Sequence, residues 1–339
     1  MSQLNIGVIG LGVGEQHITG YQKINGCQVV ALCDTDHRKL EYVGARYPGC
    51  RLFSNPEDLL DNKSIDVVSI ASYDDAHADQ IVHGVLNMKH VFVEKPICLS
   101  KGEFSRICVA LQHNPDIKFS SNLILRKVPR FQNLKRTIEI DEMGAIYYSE
   151  GDYDYGRIEK ITHGWRSTIS NYSVVHGGAI HLIDLILWCT GKKVIEVFSW
   201  GNRTSTKDSA FKNYDMVVSL LRFNDGSLAK ITANFGSVTP HHHKVCFYGT
   251  RGTFIQTHNY AHYCFSRDSS ENLEPLIDAY PDVQKGDMLS GFINSILTQG
   301  EPDVPAQDVI NSMTVSLAIE QSLVSGQPQK VAYFNLRQP

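Results

Sequence analysis

No Cys-x-x-Cys pair occurs in this chain of 339 residues; its eight cysteines stand singly at 27, 33, 50, 98, 108, 189, 246 and 264. That spacing offers no zinc ribbon and no dithiol redox pair, and a chain this long needs no disulfide staples. No apolar run approaches the ~20 residues of a membrane helix. Neither sign of charge dominates, since 32 Lys and Arg stand against 36 Asp and Glu for a net −4. Electrostatics therefore gives no case for a nucleic-acid partner. The opening Met1-Ser2-Gln3-Leu4-Asn5 lacks the charged segment, apolar stretch and cleavage site of a secretory signal. These absences predict a reduced, cytoplasmic protein with neither a membrane nor a nucleic acid as partner. What is present is ordinary globular composition, 42% apolar and 20% charged. At roughly 150 residues per domain the length predicts about two domains.

Short apolar runs at 4–9, 29–33, 66–71 and 90–93 are each followed by a helical pattern. Such alternation predicts a parallel sheet covered on both faces, completed by a strand at 118–122. Helix starts are visible at Asn55-Pro56 and in the capping box Ser100-x-x-Glu103. From about 123 the texture changes to longer stretches rich in Tyr, Val, Phe and Thr. Asn224-Asp225-Gly226 predicts a hairpin between 215–223 and 227–235, and Gly249–Gly252 another turn. Along 215–223, Val217, Leu221 and Phe223 share one face while Met216, Val218 and Leu220 share the other. A sheet apolar on both faces must be covered on both. Helices at 173–189, 286–299 and 306–325 are expected on one side and a second subunit on the other. Stretches 201–213 and 266–284 read as loops. The expected division is 1–122 and 123–339, an α/β chain with a doubly wound parallel sheet followed by an α+β domain with an open, mostly antiparallel sheet.

The first strand runs into Gly10-Leu11-Gly12-Val13-Gly14-Glu15. Glycines there permit a tight turn and close backbone approach to a pyrophosphate, and the following helix offers its N–H groups. Asp34 closes the second strand, where an acid accepts the ribose hydroxyls of NAD and opposes the 2′-phosphate of NADP. His37 and Arg38 keep NADP open as an alternative.

Further motifs carry a family resemblance: Glu94-Lys95-Pro96 after the strand at 90–93, Ile70-Ala-Ser-Tyr-Asp-Asp-Ala-His77 upstream, and Gly177-Gly-Ala-Ile-His-Leu-Ile-Asp184 downstream with Trp188 and Gly191. With Arg126 and Ser322-x-x-x-Gly326 they span nearly the whole chain, which resembles the glucose–fructose oxidoreductase, inositol dehydrogenase and MocA family. The resemblance implies an N-terminal Rossmann domain and a C-terminal domain whose open sheet builds homodimers or homotetramers. It implies hydride transfer between NAD(P) and a secondary alcohol or ketone of a sugar, cyclitol or nucleotide sugar. It carries the family lysine onto Lys95 and the family histidine onto His181 as catalytic residues. Histidine titrates near neutrality and can take the hydroxyl proton; a lysine on the same oxygen stabilises the alkoxide. Gly10, Gly12, Val13, Gly14, Asp34, Ser72, His77, Glu94 and Lys95 are the expected cofactor set.

The chain departs from the pattern twice. Many members carry Asp four residues before the helix histidine, where this chain has Gly177. His176 is adjacent, and Asp184, at i+3 from His181, shares its face. The second departure is Glu15 in place of a third small residue, a carboxylate unfavourable near pyrophosphate unless it turns away. The loop 156–172 offers Trp165 for stacking on a sugar and Arg166 for an anion. The expected substrate set is Arg126, Tyr153, Trp165, Arg166, His176 and Asp184. His241-His242-His243 does not predict a metal site, because successive strand residues face opposite ways. Two alternatives remain open: NAD-dependent redox-neutral sugar chemistry, and an inactive dinucleotide-sensing regulator.

Overall fold

The computed structural model describes residues 3–268, 273 and 275–337. Six strands form a parallel sheet: β1 (Leu4–Ile9), β2 (Cys27–Cys33), β3 (Arg51–Phe53), β4 (Val67–Ile70), β5 (His90–Val93) and β6 (Phe119–Ser121). Their spatial order is β3-β2-β1-β4-β5-β6, so the direction of winding reverses between β1 and β4. β4 is buried along its whole length, as a strand covered on both faces must be. The connecting helices are α1 (Gly14–Tyr21), α2 (His37–Gly44), α3 (Pro56–Leu60), α4 (His77–Leu86) and α5 (Lys101–His113).

After α6 (Pro129–Glu139) come β7 (Ile146–Asp154), α7 (Glu159–Thr162), α8 (Ile180–Thr190), β8 (Val194–Asn202), β9 (Met216–Phe223), β10 (Leu228–Asn234), β11 (His242–Gly249), β12 (Thr253–Gln256) and β13 (Ala261–Cys264). The chain then runs through α9 (Leu289–Thr298), α10 (Ala306–Ser325) and β14 (Gln329–Lys330). Eight strands pair in the order β13-β12-β11-β7-β10-β9-β8-β14. Only β7 and β10 run parallel there. α8 lies on β7, where Gly151 leaves room for Leu182 at 3.1 Å from the position of a Cβ. α10 reaches β8, where the Ser199 N–H donates to the Ser322 hydroxyl at 3.0 Å.

The chain forms two compact units. One holds the residues up to Ile124, Val283–Ile310 and the chain from Phe334; the other holds Leu125–Asp282 and Asn311–Tyr333. The return of 283–310 to the first unit differs from the expectation that a helix at 286–299 covers the mixed sheet. α9 instead packs in the parallel-sheet unit, with Phe292 against Phe92 at 5.5 Å between ring centres. Gly20 of α1 lets Leu289 approach to 2.9 Å from its Cβ position. An apolar helix face does not say which of two sheets it will cover, and here glycine contacts decide. In β9, Val217, Leu221 and Phe223 are buried, whereas Met216 and Val218 are partly exposed and Leu220 is 51% exposed. All eight cysteines are free thiols. Among the described residues no helix is long and apolar enough to cross a membrane. Of the expected loop 266–284, residues 269–272 and 274 lie outside the described residues.

Candidate active site

Strand register sets one edge of the parallel sheet. Ile9 pairs with Cys33 and with Ile70, and Ile70 pairs with Val93. The residues that follow these partners, Gly10, Asp34, Ala71 and Glu94, therefore stand side by side at the strand C-termini. Backbone bonds carry the ladder one residue further: Gly10 N–H to Cys33 O at 2.8 Å, Ala71 N–H to Ile9 O at 2.7 Å and Glu94 N–H to Ile70 O at 2.8 Å. This edge, at the reversal of strand order, is where open α/β sheets bind dinucleotides.

Three glycines there are small for three reasons. Gly10 has φ +85° and a Cβ on it would run into the Ala71 carbonyl. Gly14 packs α1 on β1, its Cβ position 3.0 Å from Val8. Gly12 has nothing within 4 Å of a Cβ position, so open space stands over the turn. α2, α3 and α5 begin on side-chain caps from Asp36, Asn55 and Ser100, whereas α1 and α4, which follow β1 and β4, have none. Uncapped N–H groups and unfilled space at Gly12, Val13 and Gly14 are suited to the pyrophosphate of a dinucleotide. Glu15 is turned onto Arg46 at 2.5 Å, and that guanidinium lies over Tyr42 at 4.5 Å. Its charge is thus neutralised away from the turn.

Asp34 is buried and fastens the glycine turn, accepting from the Leu11 N–H at 2.8 Å and the Asp36 N–H at 2.9 Å. Lys39 stands 3.3 Å from it. Ser72 donates to Gln80 at 2.7 Å. His77 bridges two carbonyl groups, Pro96 at 2.6 Å and Ser72 at 3.2 Å, and so ties the Lys95–Pro96 turn, whose peptide bond is cis, to the end of β4. Behind Lys95, Glu94 meets Asn122 at 2.7 Å, His17 at 3.3 Å and Lys285 at 3.6 Å. Burial works to raise the Glu94 pKa, but Lys285, His17 and Asn122 outweigh it and hold the carboxyl well below the usual range. Lys95 is thus set on a braced turn at the same edge as the glycine loop.

In the second unit His181 lies in the first turn of α8, buried, with Tyr153 of β7 stacked beside it at 6.3 Å between ring centres. Around Tyr153 stand His241 and His243, each at 5.1 Å, and Phe235 at 5.8 Å. His243 pairs with the Tyr280 hydroxyl at 2.7 Å, and burial pushes its pKa well below the usual histidine value. His242 faces the other way, against His258 at 5.1 Å. Arg157 covers Tyr155 at 4.6 Å and Arg166 covers Trp165 at 4.4 Å. The loop 156–172 therefore sets cations on the aromatic group. Among the described residues no group of three His, Cys, Asp or Glu side chains is placed to hold a metal ion.

Three of the expected substrate residues are also bonded within the protein. Arg126 and Asp184 form a buried two-point ion pair at 2.9 and 2.6 Å, joined by Ser312 at 3.1 Å. Asp184 is therefore a partner of Arg126, on the same helix face as His181. His176 is buried against the Ser316 hydroxyl at 2.7 Å, and burial lowers its pKa to about 3. The expected α-helical start at 173 is a π-turn over Val175–Ala179, with the Ser173 hydroxyl accepting from the Val175 and His176 N–H groups. Sequence reasoning missed Asn122, Lys285, Tyr280 and Tyr172, since no local pattern marks them. Gly177 was the one available signal for Tyr172: a Cβ there would overlap the Tyr172 hydroxyl, with the ring carbon bearing it 2.9 Å away.

Residues 4–121 match a family model described as an oxidoreductase family with an NAD-binding Rossmann fold, and residues 131–255 match the GFO/IDH/MocA C-terminal domain. The inositol 2-dehydrogenase of Rubrobacter xylanophilus is 27% identical over 335 residues, covering 97% of this chain and 93% of the relative. A levoglucosan dehydrogenase in complex with NADH superposes with a TM-score of 0.87 at 18% identity, over 98% of this chain and 100% of its own. The scyllo-inositol dehydrogenase of Lactobacillus casei, with bound NAD(H) and scyllo-inositol, gives 0.80 at 22% identity, over 97% and 99%. At these identities the solved structures establish a shared fold.

Proposed function

The chain belongs to the GFO/IDH/MocA family of NAD-binding oxidoreductases, and from that premise we propose that it oxidises a secondary alcohol of a cyclitol or sugar, or reduces the matching ketone. The observation that carries the reading is Lys95, fixed by the His77–Pro96 bond and the Glu94 cluster on the sheet edge that bears the glycine turn. Bound NAD supplies the acceptor for the hydride. Lys95 holds the alcohol oxygen and stabilises the charge that grows on it. His181, its ring set by Tyr153, accepts the hydroxyl proton. Asp34 recognises the adenosine ribose, and Trp165 with Arg166 contacts the polyol. The inositol dehydrogenase relative makes cyclitols the first substrates to try. Mixing the protein with NAD and a panel of inositols, aldoses and nucleotide sugars while following nicotinamide absorbance tests the reading. Formation of NADH with one polyol supports it; no reduction with any member, and no reoxidation by the ketones, overturns it.

The mixed sheet leaves Trp200 61% and Leu220 51% exposed on one face. We propose that this face is covered by a second copy in a homodimer or homotetramer, which a monomeric mass by light scattering at micromolar concentration contradicts. Eight free thiols suit a cytoplasmic setting.

A further inference from the structure

The geometry points to Tyr172 as the group that replaces the carboxylate missing at position 177: we propose, on that dehydrogenase reading, that its hydroxyl serves with His181 on the oxygen of the substrate alcohol. Standard bond lengths put the oxygens of an aspartate about 2.4 Å from its Cβ. The Tyr172 hydroxyl lies within that radius of the Cβ position on Gly177. It therefore occupies the space in which Asp at 177 would carry its oxygens. Position 177 falls in the π-turn, four residues before His181 and on the same side of the helix. The turn is held in place by Ser173, which also donates to Glu320 of α10. Tyr172 itself is buried, its ring edge-on to Trp165 at 6.5 Å and to Phe211 at 6.0 Å. The glycine and the tyrosine explain one another: the hydroxyl fits only because residue 177 has no side chain.

The substitution changes the charge and keeps the hydrogen bonding. A phenol donates one hydrogen bond and accepts others, as a neutral group. In the oxidation the carbinol C–H electron pair leaves as hydride to NAD and the O–H proton passes to His181, while Tyr172 keeps its proton and donates to the oxygen. A carboxylate would instead favour the imidazolium and raise the pKa of His181. The titratable and charged groups around this turn and α8 include Tyr153 of β7, with Arg166 acting on it, His243 of β11, Glu320 of α10 on Ser173, His176 within the turn and the Arg126–Asp184 pair. All are unchanged in the variants below, so a shift in profile reports residue 172 or 177.

Four proteins test the proposal: Tyr172→Phe, Gly177→Asp, Tyr172→Ala and the double variant Tyr172→Ala/Gly177→Asp. Tyr172→Phe should lower kcat about 10²-fold, the usual effect of losing one donor at the reacting oxygen, with NADH affinity unchanged by fluorescence titration. Gly177→Asp alone overpacks against Tyr172 and should lower Tm by roughly 2–4 °C or more. Tyr172→Ala makes room, so the double variant should regain that Tm, turn over about tenfold faster than Tyr172→Ala, and show its acidic limb about one pH unit higher. Wild-type turnover and profile in Tyr172→Phe overturn the proposal while leaving the dehydrogenase reading intact. Absence of Tm recovery in the double variant overturns the shared space. A wild-type protein that oxidises no polyol overturns the dehydrogenase reading and the catalytic role together, although the Tm cycle still decides the shared space.

Discussion

The C-terminal edge of the parallel sheet and the start of α8 build their chemistry from different materials. At the sheet edge the reactive surface is backbone: a glycine turn, two helix starts without side-chain caps, and carbonyls one residue past each strand. Its side chains mostly act on that backbone, Asp34 on the Leu11 N–H and His77 on the Pro96 carbonyl. At α8 the surface is rings, with His181, Tyr153, His241 and His243 packed around one another. The first arrangement offers fixed dipoles, which suit an anion of one fixed structure. The second presents side chains that can be exchanged to suit one substrate or another. Cofactor binding should therefore break with changes to the glycine turn and to Asp34, which fastens it, and turnover with changes to Lys95 and the rings at α8.

The largest separation should come from His181→Ala and Lys95→Ala, each lowering turnover about 10²–10⁴-fold with an identified polyol. NADH affinity should stay constant in His181→Ala, because that residue belongs to the ring cluster. A His181→Ala enzyme with near wild-type turnover and unchanged pH profile would remove histidine from the chemistry and leave Lys95 or a tyrosine as the base.

Asp34→Ala should act the other way, weakening NAD roughly 10–100-fold through loss of hydrogen bonds to a charged acceptor while sparing the chemical step. NADP should weaken less, since the lost charge also opposed a 2′-phosphate. Calorimetry showing that the wild-type protein binds NADP more tightly than NAD would refute this role. Gly12→Ala is the finer probe. Its new methyl group meets no protein atom, so Tm should hold while NAD affinity falls by about tenfold. Gly14→Ala, 3.0 Å from Val8, should cost Tm as well. Equal loss of Tm in both variants would mean that the turn at Gly12 is small for packing alone.

The same contrast explains which parts could be read from sequence. Strand–helix alternation, the caps at Asn55 and Ser100, and the glycine turn are local patterns, and all are present in the structure. Lys95 was legible because its neighbours Glu94 and Pro96 are contiguous with it. The ring cluster joins β7, β11 and α8 with a residue as distant as Tyr280, and nothing local links their positions. Arg126 and Asp184 stand 58 positions apart, and nothing in the sequence announces their mutual ion pair. α9 is the same kind of case: its apolar face suits either sheet, and only its contacts with Gly20 and Phe92 identify the parallel one. Gly177 is the instructive middle case, because a missing carboxylate is visible in sequence whereas the hydroxyl that fills its space is not.

The smallest expected effect concerns acid. The second unit buries His176, its pKa lowered to about 3, and His243, lowered well below the usual value, both by desolvation of the charged form. Unfolded histidine titrates near ~6.5, so as the pH falls the unfolded chain takes up protons that these folded imidazoles refuse. Their contribution to stability is complete above ~6.5 and declines below it, for His176 until about pH 3. In the first unit the depressed carboxyl of Glu94 has the opposite ionisation, and its contribution is lost only as the pH falls below ~4.3. From pH 7 to 5.5 each buried histidine should therefore cost about 1 kcal/mol, or roughly 2–4 °C of Tm, and Glu94 almost nothing. Amide exchange at the two pH values should show β11 and the π-turn loosening while β1 and β4 stay protected. His176→Gln supplies the control: less stable at pH 7 for its altered packing, it should lose less between pH 7 and 5.5 than the wild type does. Equal losses in the two proteins would show that His176 already carries its proton in the folded state.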